Sequence, residues 1–293
     1  MTEVRYSIKD LENFTGIKAH TIRIWEQRYG LFTPKRTDTN IRFYNEEDLK
    51  KILNINLLYT DGLKISKIAQ LPYPVIMEKA KQIIENRNVE EAPEVNELII
   101  SILEFDKVKI KEILNDYTDG IFSQFSKIII PFLSKIGELW QVNTIEVVHE
   151  HLFSNLYREF IITQIQNLET TDNAGKKALL FLHEEEQHEF SILLYYYLFK
   201  TKGYNCYYLG QNLPLSNLGF VIGKLNPDYI ISTTIAQISE EQFISFIEHL
   251  KPHSKDSKVI IGGYQTSIYK KFIPSNLKVI NSEKDFSNLS KSL

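Results

Sequence analysis

The sequence has 293 residues, of which 43% are hydrophobic and 24% are charged, and its formal net charge is −3. This length allows two or three folded domains of ordinary composition. No apolar run approaches the ~18 residues that span a bilayer, and the polar start is not a signal peptide. The single Cys206 excludes a disulfide framework and a cysteine-based zinc site. We therefore expect a cytoplasmic protein with no membrane partner.

Residues 1–72 are predicted to form a small helical domain that contains a hairpin. Ser7 is a candidate N-cap of a first helix that ends near Gly16, and residues 19–28 supply a second helix after a tight turn. Two helices joined so closely are typical of the helix-turn-helix, whose second helix enters the DNA major groove. The following residues alternate as a β-hairpin wing, and Asn45 begins a further helix.

Basic side chains are concentrated in this first segment. Residues 18–44 carry six lysines and arginines against two acidic residues, so a locally positive face is expected on an acidic protein. Binding to phosphate requires such a face and does not require a basic protein as a whole. A solvated run of charges is the alternative interpretation.

The remaining sequence changes from helical to mixed character. Residues 75–170 show apolar positions at helical spacing, which predicts a bundle of four or five helices without strands. Pro72 and Pro74 mark its start, and residues 170–175 mark its end. Residues 176–293 alternate helices with short apolar runs, which predicts a doubly wound parallel sheet that binds ligands beyond the carboxyl ends of its strands. The expected strands are 178–182, 204–209, 229–232, 259–261 and 278–280.

The first segment resembles the MerR-type winged helix-turn-helix over roughly residues 5–70. The resemblance rests on Thr21, Arg23, Trp25-Glu26, Arg28-Tyr29-Gly30, Arg36 and Arg42-Phe43-Tyr44. It implies binding to double-stranded operator DNA, with the recognition helix reading base edges and the wing binding phosphates. Trp25 is expected in the core. The side chains expected to contact DNA are Lys18, His20, Thr21, Arg23, Arg28, Tyr29, Arg36, Arg42 and Tyr44.

The last ~115 residues resemble the cobalamin-binding Rossmann-like domain of corrinoid enzymes and of the CarH/LitR-type photoreceptor repressors. The family's acid-x-His-x-x-Gly pattern reads Glu186 to Ser191 here, with serine in place of the final glycine. The resemblance implies that His188 ligates cobalt and that Glu186 orients the imidazole. Further contacts with the cofactor are expected from Ser191, Ser232, Gly262 and Gly263.

Two other interpretations of the same loop stay open. A metal cluster could include His183 and His188, but histidines five residues apart lie about 140° around a helix from each other, unlike the pair of a zinc-protease helix. The second alternative is an exposed acidic loop without a ligand.

A pattern in the helical segment resembles the lid of the CarH-type sensors. Trp140 precedes Glu150-His151 by ten residues, and Asn143 with Glu146 predicts a helix that starts near Thr144. The resemblance implies that Trp140, Val147, Glu150 and His151 contact the adenosyl face of adenosylcobalamin. The family's histidine after the tryptophan is replaced by Gln141, which leaves His149 or His151 as candidate replacements.

Together these patterns predict a multidomain transcriptional repressor, with a winged helix-turn-helix, an α-helical bundle and a Rossmann-like α/β domain. Its oligomerisation and operator binding would be controlled by adenosylcobalamin or by light, in a homo-oligomer that is a dimer or tetramer. One alternative is a regulator that has lost the cofactor and uses the same domain for dimerisation or partner binding. A corrinoid-dependent enzyme is the other, and the DNA-binding segment argues against it.

Overall fold

The structure, a computed structural model, describes residues 5–37, 40–86, 92–168 and 175–293. The chain divides into two compact units, Met1–Ser154 and Asn155–Leu293. The predicted division into three domains, 1–72, 75–170 and 176–293, stays a prediction. Residues 170–174, at the predicted end of the bundle, lie outside the described ranges.

The first unit begins with the predicted pair of helices, α1 (Ile8–Thr15) and α2 (Ala19–Tyr29). Ser7 and Asp10 form a capping box at the start of α1, in which each side chain bonds the other residue's backbone N–H. Gly16 ends α1 with a φ of 72°, a left-handed conformation that glycine adopts without steric cost. The helix-turn-helix prediction is therefore confirmed.

The wing follows as a short antiparallel pair, β1 (Lys35–Arg36) and β2 (Arg42–Phe43). The next helices are α3 (Glu46–Thr60) and α4 (Ile65–Ile68). Asn45 and Asp48 form a second capping box at the start of α3, as predicted. Trp25 is 3% exposed and packs edge-on against Tyr59, so the expectation that it is a core residue is also correct.

The described part of residues 73–168 is helical and has no strand, as predicted, but it forms six α-helices and not the predicted four or five. Its helices are α5 (Tyr73–Asn86), α6 (Pro93–Leu103), α7 (Lys107–Asp116), α8 (Ile121–Gln124), α9 (Ile130–Gln141) and α10 (Val147–Gln166). A π-helical turn, Phe125–Ile129, joins α8 to α9. Pro131 lies at the start of α9, and because proline has no N–H it cannot complete the α-helical ladder there.

The start of α10 corrects one prediction. The helix begins at Val147, whereas the sequence pattern predicted a start near Thr144 with Asn143 as its cap. Asn143 adopts a positive φ of 57°, and its side chain bonds Lys50 Nζ and Met77 Sδ. The asparagine amide is therefore committed to other parts of the unit and cannot cap the helix.

The second unit contains a five-stranded, fully parallel sheet in the order β4-β3-β5-β6-β7. The three central strands are almost wholly buried, as expected of a sheet covered on both faces, whereas the two edge strands are more exposed. The predicted doubly wound fold is confirmed. The strands are β3 (Lys177–Phe181), β4 (Asn205–Tyr208), β5 (Tyr229–Thr233), β6 (Lys258–Gly262) and β7 (Lys278–Ile280).

Helices alternate with these strands along the chain. They are α11 (Phe190–Thr201), α12 (Leu218–Leu225), α13 (Glu240–Leu250), α14 (Tyr264–Ile268) and α15 (Glu283–Ser292). This topology places the β3–α11 and β5–α13 connections at the carboxyl edge of the sheet, where doubly wound folds bind ligands. In the described ranges, no helix has both the length and the apolar character needed to cross a bilayer.

Candidate DNA-binding surface and cofactor site

Helix α2 presents a polar face outside the core of the first unit. Lys18, His20, Arg23 and Arg28 are exposed, whereas Ile22 is fully buried on the other face. Thr21 and Tyr29 are half-buried. An exposed row of donors beside a buried apolar row has the amphipathic pattern that a recognition helix requires.

The wing carries the second group of predicted contacts. Arg36 is exposed, and its Nη1 donates to Asn40 Oδ1 at 2.7 Å and to Asn40 O at 3.2 Å. Arg42 lies with its Nε 3.9 Å from Glu26 Oε2, and its side chain is 36% exposed. Both guanidinium groups can therefore reach a phosphate without disturbing the core.

Tyr44 does not fit its predicted role. It is fully buried, and its hydroxyl donates to the Glu26 carboxylate. Burial and this carboxylate raise the pKa of Tyr44, so the phenol stays protonated. Because the side chain fastens the wing to α2 from inside the core, it cannot also bind a DNA phosphate. The sequence position of Tyr44, directly after the wing strand, does not show whether its side chain points into the core or toward DNA.

The second predicted site begins with a pocket in the first unit. A pocket of about 260 Å³ lies at the α9–α10 connection. Trp140, Val147 and Glu150 all line it, so the structure brings together three residues of the predicted lid. Glu150 also accepts a hydrogen bond from Ser154. The other lining residues are Leu133, Ile136, Gly137, Ile145 and Glu146.

The two candidate metal ligands near this pocket, His149 and His151, and the neighbouring Gln141 have different surroundings. His151 is not among the lining residues; its side chain is 69% exposed, with Nδ1 3.4 Å from Glu150 Oε2. His149 stacks on Phe105 with ring centroids 4.8 Å apart. Gln141, which stands where the resembling family has a histidine, donates from Nε2 to Asn54 Oδ1 at 3.0 Å.

Trp140 also contacts the helix that follows the wing. Lys50 Nζ of α3 lies 4.5 Å from the centroid of the Trp140 ring and donates to Asn143 Oδ1 at 2.9 Å. One turn later, the fully buried Asn54 donates to the Gln141 carbonyl oxygen at 3.2 Å. The residues after the pocket tryptophan are thus bonded directly to α3, and no local sequence pattern predicts these contacts between distant segments.

In the second unit, His188 and Glu186 form the pair that the sequence pattern predicted. The two side chains differ sharply in exposure, 60% for His188 and none for Glu186. His188 Nδ1 lies 2.7 Å from Glu186 Oε1. Because a carboxylate can only accept, Nδ1 donates and the lone pair of the ring is on Nε2, the atom that a metal would bind.

Glu186 is held as a carboxylate by the surrounding backbone. Burial raises its pKa, but hydrogen bonds from the His188 side chain and from the N–H groups of His188, Ile235 and Ala236 lower the pKa to about 2. The last two N–H groups belong to the β5–α13 connection and donate to Oε2. Glu186 therefore ties the His188 loop to the neighbouring strand while it orients the imidazole.

The end of β5, next to the connection that Glu186 contacts, carries two buried hydroxyl groups. Ser232 Oγ and Thr233 Oγ1 at the end of β5 are buried, and neither has a hydrogen-bond partner in the part of the chain that the structure describes. Buried hydroxyls are normally satisfied, so two unpaired ones together are unusual. Ser191, half-buried, follows three residues after His188. These donors and acceptors fit the polar tail of a corrinoid.

Contacts within the protein explain why residues 262 and 263 are glycines. A Cβ at Gly263 would lie 2.3 Å from the Thr234 backbone oxygen, and the residue has a φ of 98°. A Cβ at Gly262 would lie 2.9 Å from the Ile280 backbone oxygen. Close packing of neighbouring backbone therefore requires both glycines, and their contact with a cofactor stays a prediction.

The alternative metal cluster has no support in the described residues, among which no three histidine, cysteine, aspartate or glutamate side chains come together as a metal site. His183 Nε2 lies 3.0 Å from Thr234 Oγ1, and its Nδ1 lies 2.8 Å from the Glu184 carbonyl oxygen. The His183 ring is thus buried, and both of its nitrogens have hydrogen-bond partners, whereas the His188 ring is exposed.

Comparisons with known proteins agree with this geometry. Residues 6–72 match the family described as MerR HTH family regulatory protein, and residues 94–161 match the family described as B12 binding domain. The second match covers the predicted lid residues Trp140, Glu150 and His151.

Two curated relatives extend over most of the chain. The HTH-type transcriptional repressor CarH of Myxococcus xanthus is 26% identical over 86% of this chain and 86% of its own length. The HTH-type transcriptional repressor CarA of the same organism is 27% identical over 87% of this chain and 85% of its own.

A solved structure supports the fold. The Methanosarcina barkeri monomethylamine corrinoid protein superimposes with a TM-score of 0.53 at 12% identity, covering 67% of this chain and 96% of that protein. The predicted fold class and resemblance are thereby confirmed. One region of the chain is therefore similar to the MerR HTH family and another to the B12 binding domain family, and the chain is similar to the CarH and CarA repressors over most of its length.

Proposed function

We propose that this protein is a transcriptional repressor whose operator binding is controlled by adenosylcobalamin. The observation that carries the proposal is the Glu186–His188 pair, in a chain that also has a winged helix-turn-helix. A buried carboxylate that fixes the donor nitrogen of an exposed imidazole is the arrangement that orients a metal-binding histidine. The named relatives over most of the chain are repressors, which supports a regulator and not an enzyme.

In this proposal, His188 Nε2 would bind the cobalt of the cofactor. Glu186 keeps Nδ1 protonated and holds the ring in one orientation. Ser191 and Ser232 supply polar contacts for the tail of the cofactor, and Gly262 and Gly263 lie beside it. The bound cofactor would supply a cobalt–carbon bond that light can break. The described structure supports the fit through the unpaired hydroxyls of Ser232 and Thr233.

The pocket at the α9–α10 connection supplies contacts for the adenosyl group. Trp140 and Val147 give it an apolar wall, and Glu150 gives a hydrogen-bond acceptor suited to a ribose hydroxyl. His151, outside the lining, adds a polar contact near Glu150. The resemblance to the CarH-type lid supports this assignment.

The contacts of Trp140 indicate how the pocket communicates with the DNA-binding surface. A ligand in the pocket that moves the Trp140 ring would also alter the contact of that ring with Lys50. It would shift the neighbouring Gln141 as well, and with it the hydrogen bond from Gln141 to Asn54. Both partners are on α3, which is separated from the wing strand β2 by two residues and packs on α1. The ligand would therefore favour one arrangement of the helix-turn-helix over another, by its different affinity for the two.

The proposal includes assembly into an oligomer and a response to light. Several DNA-binding regions in one dimer or tetramer would bind operator repeats with a higher effective concentration than a single one. Gln141 is bonded to Asn54 and is a poor replacement for an imidazole, so any histidine that takes over cobalt after illumination would be His149 or His151.

A reconstitution experiment tests the proposal. The full-length apo-protein is mixed with adenosylcobalamin, methylcobalamin or hydroxocobalamin, desalted in darkness, and its absorption spectrum and mass are recorded before and after green light. We expect retained cobalamin and an absorption spectrum with imidazole ligation, both of which require His188. Protein that passes through desalting colourless with all three cobalamins would refute the proposal and favour a domain that has lost its cofactor.

A further inference from the structure

The residue that follows the proposed cobalt ligand is a buried carboxylate. Glu189 is only 8% exposed, and buried glutamates normally have partners. Its Oε2 accepts a hydrogen bond from the Tyr208 hydroxyl at 3.0 Å, and its Oε1 accepts one from Arg158 Nε. Two donors on two different elements therefore fix the position of this carboxylate, and through it the backbone next to His188.

The two partners of Glu189 can hold its carboxylate at any pH near neutrality. Burial and the Glu189 carboxylate raise the pKa of Tyr208, so its hydroxyl remains a donor at neutral pH. Arg158 of α10 supplies the positive charge that a buried carboxylate needs, and its side chain is 46% exposed. The arginine can therefore be exchanged without creating a cavity in the core.

Glu186 anchors the same loop in the opposite direction. Its Oε2 accepts from Ile235 and Ala236 after β5, whereas Glu189 bonds Tyr208 at the end of β4. In the sheet, β3 lies between β4 and β5. The loop that follows β3 is thus fastened to both neighbouring strands, and His188 stands in sequence between the two carboxylates that fasten it.

We propose that Arg158, Glu189 and Tyr208 are positioning residues that hold the His188 loop in the conformation able to ligate a corrinoid cobalt. This inference rests on the proposed function. The three side chains do not bind the metal. They order the loop before the cofactor binds, so that less conformational entropy is lost when His188 ligates cobalt. Removing a group that bonds a metal-binding histidine typically costs 10- to 100-fold in affinity; since these residues act on the neighbouring backbone and not on the ring, we expect a loss of up to about tenfold here.

The test compares Tyr208→Phe and Glu189→Gln with wild type and with Tyr207→Phe. The last variant is a matched control, because Tyr207 lies on the same strand and, among the described residues, its hydroxyl accepts a hydrogen bond from the exposed Asn205. Each full-length protein is labelled with ¹⁵N-histidine and loaded with cobalamin in the Co(II) state. Electron paramagnetic resonance then shows, from the nitrogen splitting that changes with the label, what fraction of cobalt is ligated by histidine. The affinity for cobalamin and the urea midpoint of the apo-protein are measured in parallel.

We expect Tyr208→Phe and Glu189→Gln to lower both the histidine-ligated fraction and the affinity, while Tyr207→Phe matches wild type. Wild-type values in both variants, with clear histidine ligation in wild type, would overturn the positioning role and leave the proposed function intact. Wild-type protein that binds no cobalamin, or binds it without a label effect, would overturn both. If Glu189→Gln does not fold, Tyr208→Phe decides, since it removes one oxygen atom.

Discussion

Replacing Asn54 with alanine removes a buried polar contact between α3 and the end of α9. The Asn54 amide donates to Tyr73 Oη at 3.3 Å and to the Gln141 carbonyl oxygen at 3.2 Å, and it accepts from Gln141 Nε2 at 3.0 Å. Asn54 is fully buried, so its partners cannot turn to water without local rearrangement. Each stranded buried group costs about 1–3 kcal/mol, and we expect the free energy of unfolding of this unit to fall by about 2–3 kcal/mol.

Urea unfolding followed by tryptophan fluorescence measures this loss. The chain has two tryptophans, Trp25 and Trp140, and both lie in the first unit, so the fluorescence signal reports the unfolding of that unit. Asn115→Ala is the matched control, because that asparagine makes an exposed bond to Lys111 within one helix. It is expected to change stability by less than about 0.5 kcal/mol.

A double-mutant cycle with Gln141→Ala tests the contact itself. The two changes should be non-additive by about 1 kcal/mol, since either one breaks the same amide pair. In reconstituted protein, each single change should also reduce the effect of cobalamin on operator affinity. Additive losses, or a loss in Asn54→Ala no larger than in the Asn115 control, would refute the structural reasoning.

Three further predictions concern other parts of the molecule. Arg23→Ala should weaken operator binding and reduce its sequence specificity, whereas Arg42→Ala should weaken all DNA sequences alike and lower the salt dependence; equal effects on specific and random DNA, measured by fluorescence anisotropy, would contradict this assignment. Burial lowers the pKa of His183 below 6.5, against the opposing effect of the Glu184 carbonyl and nearby carboxylates, so the unfolded state takes up the proton first. Stability should therefore fall as pH drops below about 6.5, and His183→Gln should flatten that decline in urea midpoints; an unchanged slope would be inconsistent with a buried neutral ring. Burial raises the pKa of the Cys206 thiol to about 12, although Lys200 opposes this, so native protein should react slowly with a thiol reagent at about pH 8 and rapidly once the second unit unfolds; fast reaction of native protein would rule out the buried thiol.

Local patterns in the sequence predicted the elements whose cause is local. Capping residues such as Ser7 and Asn45 bond backbone groups three residues away, so their spacing alone identifies the helix starts. Buried parallel strands require continuous apolar runs, and all five predicted runs are strands. The pairing of Glu186 with His188 could also be predicted, since only one residue separates the carboxylate from the ring that it orients.

Contacts between distant segments could not be predicted in the same way. Asn143 looked like a helix cap because its spacing to Glu146 is correct, but Lys50, 93 residues away, takes its side chain. Tyr44 follows wing residues that were expected to bind DNA, yet its side chain is buried and its hydroxyl donates to Glu26. Glu189 and Arg158 carry charges typical of exposed surface, and only the fold brings them together.

The most direct test of the proposed regulator is the affinity for operator DNA with and without adenosylcobalamin. The measurement is made in darkness at constant salt, because phosphate contacts make every DNA affinity depend on ionic strength. Wild type and His188→Ala are titrated side by side. We expect adenosylcobalamin to change the operator affinity of wild type by about tenfold or more and to leave that of His188→Ala unchanged, since typical coupling energies are about 1–3 kcal/mol. Equal affinities of the wild type with and without the cofactor would contradict the central claim.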